Sequence, residues 1–166
     1  VLAALTGVFV LAAIGYSIYR LYSPTATATD VRLATVDRLT SNGNVVLAAL
    51  SPDGKFIAYS AGEPGSQSLW LKNIAAGSEK QVTLSTQHNS FNSLTFSPDG
   101  NYLFYGSKGM LFRLPVLGDT PTRVLSDFGG EIAFSPDGRQ FAFIAYPPEN
   151  RETAALMISD TDGNER

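Results

Sequence analysis

Three aspartates recur in one tetrapeptide, Ser-Pro-Asp-Gly, which occupies residues 51–54, 97–100 and 135–138. Carboxylates at repeated positions could ligate a metal ion or act as general acids. The same tetrapeptide also suits a tight turn, because proline presets φ, aspartate caps nearby amides and glycine accepts a left-handed backbone. The turn interpretation is favoured. It assigns a structural role to Pro52, Asp53, Gly54, Pro98, Asp99, Gly100, Pro136, Asp137 and Gly138.

Other side chains that could do chemistry are scarce. The chain has no cysteine, which excludes disulfides, thiolate metal sites and a cysteine nucleophile, and its single histidine, His88, cannot form a multi-histidine metal site. No Gly-x-Ser-x-Gly elbow, phosphate-binding loop or kinase catalytic-loop motif occurs in the sequence. Residues 160–164 alternate oxygen-bearing side chains, but the glycine comes too early for an EF-hand, so a turn is expected. The sequence predicts no catalytic residue, no metal site and no cofactor.

The composition indicates an ordered chain that is rich in strands and turns. Of 166 residues, 16% are charged and 44% are hydrophobic, so disorder is not expected over most of the length. Glycine, proline and aromatic residues are plentiful, which is typical of β structure with many turns. The net charge of -3 provides no basic excess, so no nucleic-acid partner is expected for this segment.

The elements around each Ser-Pro-Asp-Gly repeat as well. An apolar strand precedes the tetrapeptide, a second strand follows it, and a third strand leads into a glycine turn. With a fourth short strand the unit has four strands and a period of about 40 residues, which is typical of propeller blades. The prediction is an all-β fold, a partial β-propeller of three four-stranded antiparallel blades over residues 37–166, with residues 37–40 as the edge strand of a further blade. Register predicts equivalent buried positions for Leu50, Phe96 and Phe134.

Residues 1–22 have the composition of a single transmembrane helix. Residues 1–19 carry no charge, and at about 1.5 Å per residue they would span about 29 Å, close to the thickness of a bilayer core. The run ends in aromatic and basic residues suited to the interface, namely Tyr16, Tyr19, Arg20 and Tyr22. A cleavable signal peptide is the alternative, because residues 26–28 have the small-x-small form of a cleavage site. Residues 23–36 are interpreted as a linker.

The chain starts at Val1 and stops at Arg166, where the fourth strand of the third unit is expected to begin. We therefore interpret it as a piece of a longer protein.

The repeats resemble a known family. The phrases L-S-P-D-G-K-F-I-A-Y, F-S-P-D-G-N-Y-L-F-Y and F-S-P-D-G-R-Q-F-A-F are similar to the TolB-like propeller repeat, the Pro-Asp relative of the WD40 repeat. An apolar anchor followed by such repeats also resembles the extracytoplasmic half of bacterial single-pass receptors. In those proteins a Ser/Thr protein kinase domain or a winged-helix regulator domain precedes the membrane helix. This resemblance implies a bacterial signalling protein with a periplasmic propeller.

Candidate binding residues lie on loops where the repeat is broken. In four-stranded blades, the loops between second and third strands and the loops between blades share one face, and variable loops on a rigid scaffold commonly carry binding. In this sequence those loops are 41–44, 61–68, 84–90, 106–109, 126–130 and 145–153. The predicted contacts are His88, Asn89, Phe128, Tyr146, Glu149 and Arg151. An ordinary solvated loop residue is the alternative for each.

The function predicted for this segment is a non-catalytic, extracytoplasmic module that binds a protein or small ligand, or scaffolds assembly, at the end of one membrane helix. The alternative is the propeller of a membrane-anchored serine peptidase of the prolyl-oligopeptidase type. Its hydrolase domain would lie beyond residue 166.

Overall fold

The computed structural model describes residues 16, 36, 38–40, 43–83, 89–146 and 153–164. The predicted membrane segment and linker therefore lie outside the described residues, apart from Tyr16 and Val36. Within the described part of the chain, no helix has the length and apolar character needed to cross a membrane. The strands described below all belong to the compact unit Thr40–Arg166.

The described residues form three antiparallel sheets, which confirms the all-β prediction. Within each sheet the strands pair in chain order, as expected for propeller blades. Blade 1 consists of β1 (Val45–Leu50), β2 (Phe56–Glu63), β3 (Ser66–Asn73) and β4 (Glu79–Thr83). Blade 2 consists of β5 (Phe91–Phe96), β6 (Tyr102–Ser107), β7 (Met110–Pro115) and β8 (Thr122–Leu125). Blade 3 consists of β9 (Phe128–Phe134), β10 (Gln140–Ala145) and β11 (Ala155–Asp160).

The strand content differs from the prediction in two places. Blade 3 has three strands in the described part of the chain, which stops at Asn164 directly after the turn that follows β11. Arg38, Leu39 and Thr40 have no strand conformation, so the strand predicted at 37–40 is not found among these described residues. A short strand is not stable without hydrogen-bonded neighbours, and these residues belong to none of the described sheets.

The predicted loop at residues 61–68 was also wrong, because this region is the tip of a hairpin. Strand β2 continues to Glu63 and β3 begins at Ser66, so only Pro64 and Gly65 form the turn. Gly65 has φ of 78°, which lets two residues reverse the chain while Glu63 and Ser66 still pair. A polar segment rich in glycine and serine therefore contains two paired strand ends.

The hydrophobic core lies between the blades, which pack face to face. Between blades 1 and 2, Leu69 and Leu71 pack in one cluster with Leu103 and Leu114. Between blades 2 and 3, the buried residues are mostly aromatic and include Phe104, Leu111, Phe141 and Phe143. Successive residues of a strand point to opposite faces, so Leu103 belongs to one junction and Phe104 to the next.

The burial prediction holds for Phe96 but was wrong for Leu50. Phe96 is 6% exposed and packs between blades 1 and 2, whereas Leu50 is 60% exposed. Phe134 is half-buried, and its ring meets Phe104 edge-on with ring centroids 5.2 Å apart. All three residues lie on the face that points toward the preceding blade. No described sheet precedes blade 1, so Leu50 has no such surface to pack against.

Candidate binding site on the loop face

The end of the blades that carries the Ser-Pro-Asp-Gly segments, here called the turn face, is held by a repeated hydrogen-bond pattern. In the first copy, the Ser51 hydroxyl donates to Asp53 Oδ1 at 2.7 Å, and the amides of Lys55 and Phe56 donate to Asp53 Oδ1 and Ser51 Oγ. The same bonds recur in the second and third copies, and the glycines have φ of 70°, 73° and 69°. Each aspartate is therefore engaged by its own turn.

These hydrogen bonds also affect the acidity of the turn-face carboxyls. The serine hydroxyl is the largest cause and the backbone amide the next, and together they lower the pKa of Asp53 to about 2. The pKa values of Asp99 and Asp137 are lowered for the same reasons. The pKa of Asp160 is lowered chiefly by the side chain of Asn164. A carboxylate with a lowered pKa is a poor general acid near neutral pH, so the turn face is suited to a structural role.

Cations on one blade hold the turns of the next blade at this face. Arg113 Nη1 donates to the carbonyl of Thr161 and to Asp162 Oδ1, both at 2.9 Å. Lys80 Nζ donates to the carbonyl of Gly118 at 2.7 Å and pairs with Asp119. Both contacts attach the turn that follows the third strand of a blade to the preceding blade. Within the residues that the structure describes, no group of three or more His, Cys, Asp or Glu could hold a metal ion.

The opposite end of the blades, here called the loop face, opens into a cavity of about 510 Å³ between blades 2 and 3. Three chain segments form its walls: the β6–β7 turn, the β8–β9 connection and the residue after β10. Two backbone hydrogen bonds hold these segments together. The Phe128 amide donates to the Gly109 carbonyl at 2.8 Å, and the Tyr146 amide donates to the Asp127 carbonyl at 3.0 Å. The cavity walls are therefore positioned by the backbone.

Aromatic rings form part of the lining, and two glycines make room for them. Phe128 is 2% exposed and belongs to the core between blades 2 and 3, while Tyr146 is 39% exposed. A Cβ added at Gly129 would lie 2.1 Å from the Tyr146 ring, and one at Gly106 would lie 2.6 Å from the Phe128 ring. Contacts this short are not tolerated, so any other residue at either position would displace the ring from its place. With Met110 these rings give the cavity an apolar lining.

Two charged residues of opposite sign line the same cavity. Lys108 and Asp127 have φ of 55° and 57°, and they are the non-glycine residues with positive φ in the described part of the chain. Neither side chain forms an ion pair with another described residue. Aspartate tolerates the left-handed region, but lysine is strained there, and such strain is concentrated at ligand clamps and active sites. The cavity therefore combines an apolar lining with an unpaired cation and an unpaired anion.

A second loop-face cavity lies between blades 1 and 2 and measures about 160 Å³. Gln67 connects the two blades at this junction. Its backbone amide donates to the Asn89 backbone carbonyl at 3.0 Å, and its side-chain Oε1 accepts from the Phe91 backbone amide at 3.2 Å. Tyr105 stacks on Phe112 with ring centroids 5.3 Å apart, and burial raises the pKa of Tyr105 to about 12. Its phenol is therefore neutral at physiological pH. This cavity is smaller than the one in the neighbouring junction.

The structure separates the residues that the sequence grouped as contacts. Phe128 and Tyr146 line the larger cavity, whereas Asn89 lines the smaller one. His88, Glu149 and Arg151 lie outside the described residues. Sequence reasoning did not select Lys108 or Asp127, although both lie within the variable loops 106–109 and 126–130. The signal that marks them is their positive φ, which composition alone does not reveal.

Comparison with known proteins identifies the fold. Residues 73–114 match the family described as WD domain, G-beta repeat. The chain is 30% identical to the Protein TolB homolog of Chlorobium chlorochromatii over 124 residues, which are 68% of this chain and 26% of that protein. The solved structure of a putative TolB from Agrobacterium tumefaciens superposes with a TM-score of 0.61 at 23% identity, covering 76% of this chain and 49% of the other. The blades have the TolB-like β-propeller fold.

Solved structures that are more distant in sequence also superpose on this chain. Dipeptidyl peptidase 4 of Porphyromonas gingivalis superposes with a TM-score of 0.62 at 15% identity, covering 80% of this chain and 28% of the other. At such identities the similarity concerns the fold. The chain spans about a quarter of the length of the curated relatives that it matches.

Proposed function

We propose that this TolB-like region is a non-catalytic binding module and that it holds its ligand in the loop-face cavity between blades 2 and 3. The observation that carries this proposal is the cavity itself, whose walls come from three segments that the repeat does not duplicate. Its volume of about 510 Å³ lies within the range of small-molecule sites, about 300–1,000 Å³. The backbone bonds between its walls support a site that is formed before the ligand arrives.

The proposal includes a membrane setting that derives from the sequence. The uncharged run at residues 1–19 supports a single transmembrane helix, and the linker at 23–36 would keep the propeller near the bilayer. With the propeller in the periplasm, this segment would be the sensor part of a signalling or regulatory protein. Ligand occupancy would then be transmitted through the helix.

A second candidate is the propeller of a serine peptidase, because the structures that share the fold include dipeptidyl peptidase 4. In that case the nucleophile would lie in another domain, and the propeller would control access to it. A fluorophosphonate probe applied to the full-length protein separates the two candidates, because it labels activated serines covalently. The binding-module proposal predicts no labelling above that of a heat-denatured control.

A ligand screen with matched variants tests the binding proposal directly. Ser126 is exposed at the rim of the cavity, so Ser126→Trp should fill the cavity without disturbing the core. Thr120 is exposed in the β7–β8 connection at the turn face, and Thr120→Trp is the control. Compounds that raise the melting temperature of the full chain should lose their effect in Ser126→Trp and keep it in Thr120→Trp. The proposal fails if no compound binds, or if binding survives in Ser126→Trp.

A further inference from the structure

The residue at position 108 is not explained by the needs of the backbone. Lys108 and Gly109 form the two-residue turn between β6 and β7, in which Ser107 pairs with Met110. Both turn residues have positive φ, 55° and 73°, a conformation that favours asparagine, aspartate or glycine at the first position. A lysine is strained there. Its side chain is exposed, lines both the larger cavity and the smaller one between blades 1 and 2, and is not paired with a described carboxylate.

Asp127 differs from the turn-face aspartates in how its carboxylate is used. In each Ser-Pro-Asp-Gly turn, the carboxylate accepts bonds from a serine hydroxyl and a backbone amide of the same turn. At Asp127 the backbone carbonyl accepts from Tyr146, but the carboxylate has no hydrogen bond or ion pair with another described residue. A carboxylate at a cavity wall without a local partner is available to a ligand.

The rest of the lining is suited to an apolar group. Met110 contributes a polarisable side chain, and Tyr146 contributes a partly exposed ring that lies over Gly129, whereas Phe128 is buried beside the cavity. One cavity therefore presents a cation, an anion and an apolar surface.

We infer that the cavity holds a zwitterionic ligand with an apolar side chain, that is, a free amino acid or a short peptide with free ends. Its carboxylate pairs with the Lys108 amine, its ammonium pairs with the Asp127 carboxylate, and its side chain lies against Met110 and Tyr146. A zwitterion can pair with both protein charges, whereas a ligand with one charge can pair with only one of them. This inference rests on the proposed function, since it names the ligand class of the same site.

Calorimetric titration of the full chain with matched ligands tests the inference. The probes are L-phenylalanine and the dipeptide L-phenylalanyl-L-alanine, each compared with its N-acetylated form and its C-terminal amide. Removal of either charge should weaken binding by about tenfold or more, because charge-assisted hydrogen bonds are the strong ones. Binding of both probes or of phenylalanine alone indicates an amino-acid site, and binding of the dipeptide alone indicates a peptide site.

Two variants connect each ligand charge to one residue. Lys108→Asn and Asp127→Asn are chosen because asparagine accepts the left-handed conformation, so folding should be preserved. In Lys108→Asn the C-terminal amide should bind as well as the free acid, while acetylation still weakens binding. In Asp127→Asn the N-acetylated form should bind as well as the form with a free amine, while amidation still weakens binding. Lys108→Arg should keep the preference for the free carboxylate.

Several results would overturn the inference. It fails if neither probe binds at millimolar concentration, or if the acetylated and amidated forms bind as tightly as the free forms. It also fails if amidation still weakens binding in Lys108→Asn and acetylation still weakens binding in Asp127→Asn. If the cavity instead binds uncharged or singly charged ligands, and that binding is lost in Ser126→Trp, the proposed binding function is supported and only the inference of a zwitterionic ligand is rejected. If no ligand responds to Ser126→Trp, both proposals fail.

Discussion

The two blade junctions are built from the same strands in the same order, yet their loop-face ends differ. Between blades 1 and 2 the cavity measures about 160 Å³, and between blades 2 and 3 it measures about 510 Å³. At the first junction Gln67 joins β3 to the start of β5, and Tyr105 stacks on Phe112. At the second junction the Phe128 amide bonds directly to the β6–β7 turn, and the space beside that turn stays open. A few side chains therefore decide which junction can hold a ligand.

The turn-face ends of the same junctions are alike. At both of them a cation from one blade binds the turn of the next, Lys80 in the first case and Arg113 in the second. The Ser-Pro-Asp-Gly bonds repeat as well. The propeller thus keeps one face constant for stability and varies the other, and a specific site requires this departure from repetition.

The largest expected effect on the free energy of unfolding distinguishes a side chain buried at a junction from an exposed side chain on blade 1. Phe104 is 1% exposed between blades 2 and 3, so Phe104→Ala should lower the free energy of unfolding by about 3 to 5 kcal/mol. Leu50→Ala should cost about 0.5 kcal/mol or less, because Leu50 is exposed. Urea unfolding of both variants measures the difference. A large cost at Leu50 would mean that its face is covered in solution.

A smaller effect is expected at the repeated turns. Ser97 Oγ donates to Asp99 at 2.5 Å and accepts from the Tyr102 amide at 3.0 Å, so Ser97→Ala should cost about 1 to 2 kcal/mol. Ser126→Ala, on the loop face, should be close to neutral. Equal costs for the two variants, measured by thermal unfolding, would contradict the structural distinction between the faces.

The same turns predict a pH dependence. The pKa of Asp99 is lowered in the folded protein from its ordinary value of 3.8, chiefly by the Ser97 hydroxyl. A lowered folded pKa gives stability that is present above 3.8 and lost as the pH falls through the folded pKa. Unfolding measured from about pH 7 to about pH 2 should therefore show a weaker acid loss in Asp99→Asn than in the natural sequence. If the free energy of unfolding depends on pH to the same extent in both proteins, Asp99 does not contribute to the loss of stability in acid.

Relief of strain at the β6–β7 turn should stabilise the chain modestly. Lys108 has φ of 55°, so Lys108→Gly should raise the free energy of unfolding by about 1 kcal/mol. Lys108→Ala is the control, because it removes the charge and keeps the strain, and it should give no such gain. If both variants are stabilised to the same extent, the gain comes from removal of the lysine charge and not from relief of backbone strain.

The smallest effect concerns the cations that link the blades. Arg113→Met should cost about 0.5 to 1 kcal/mol, because its half-buried guanidinium bonds to two acceptors and lies 5.0 Å from the Tyr102 ring centroid. Lys80→Met should cost less, since both partners of its ion pair are more exposed. Melting temperatures at low and high salt measure both effects. A larger loss of stability in Lys80→Met than in Arg113→Met would contradict this prediction.

Local interactions explain what the sequence alone determined. The Ser-Pro-Asp-Gly turns were predictable because their hydrogen bonds join residues at most five positions apart, such as Ser97 and Tyr102. Strand alternation located most of the strands around these turns and placed Leu50, Phe96 and Phe134 on equivalent faces. The repeat also predicted the face with variable loops, on which the larger cavity lies.

Contacts between distant residues decided the rest. The exposure of Leu50 depends on whether a neighbouring blade covers it, and register does not contain that information. The cavity depends on bonds from Gly109 to Phe128 and from Asp127 to Tyr146, and on rings that lie over Gly106 and Gly129. Lys108 and Asp127 acquire their place at one cavity only when blades 2 and 3 pack together. Side-chain packing across a junction, unlike a turn, is therefore decided by the tertiary structure.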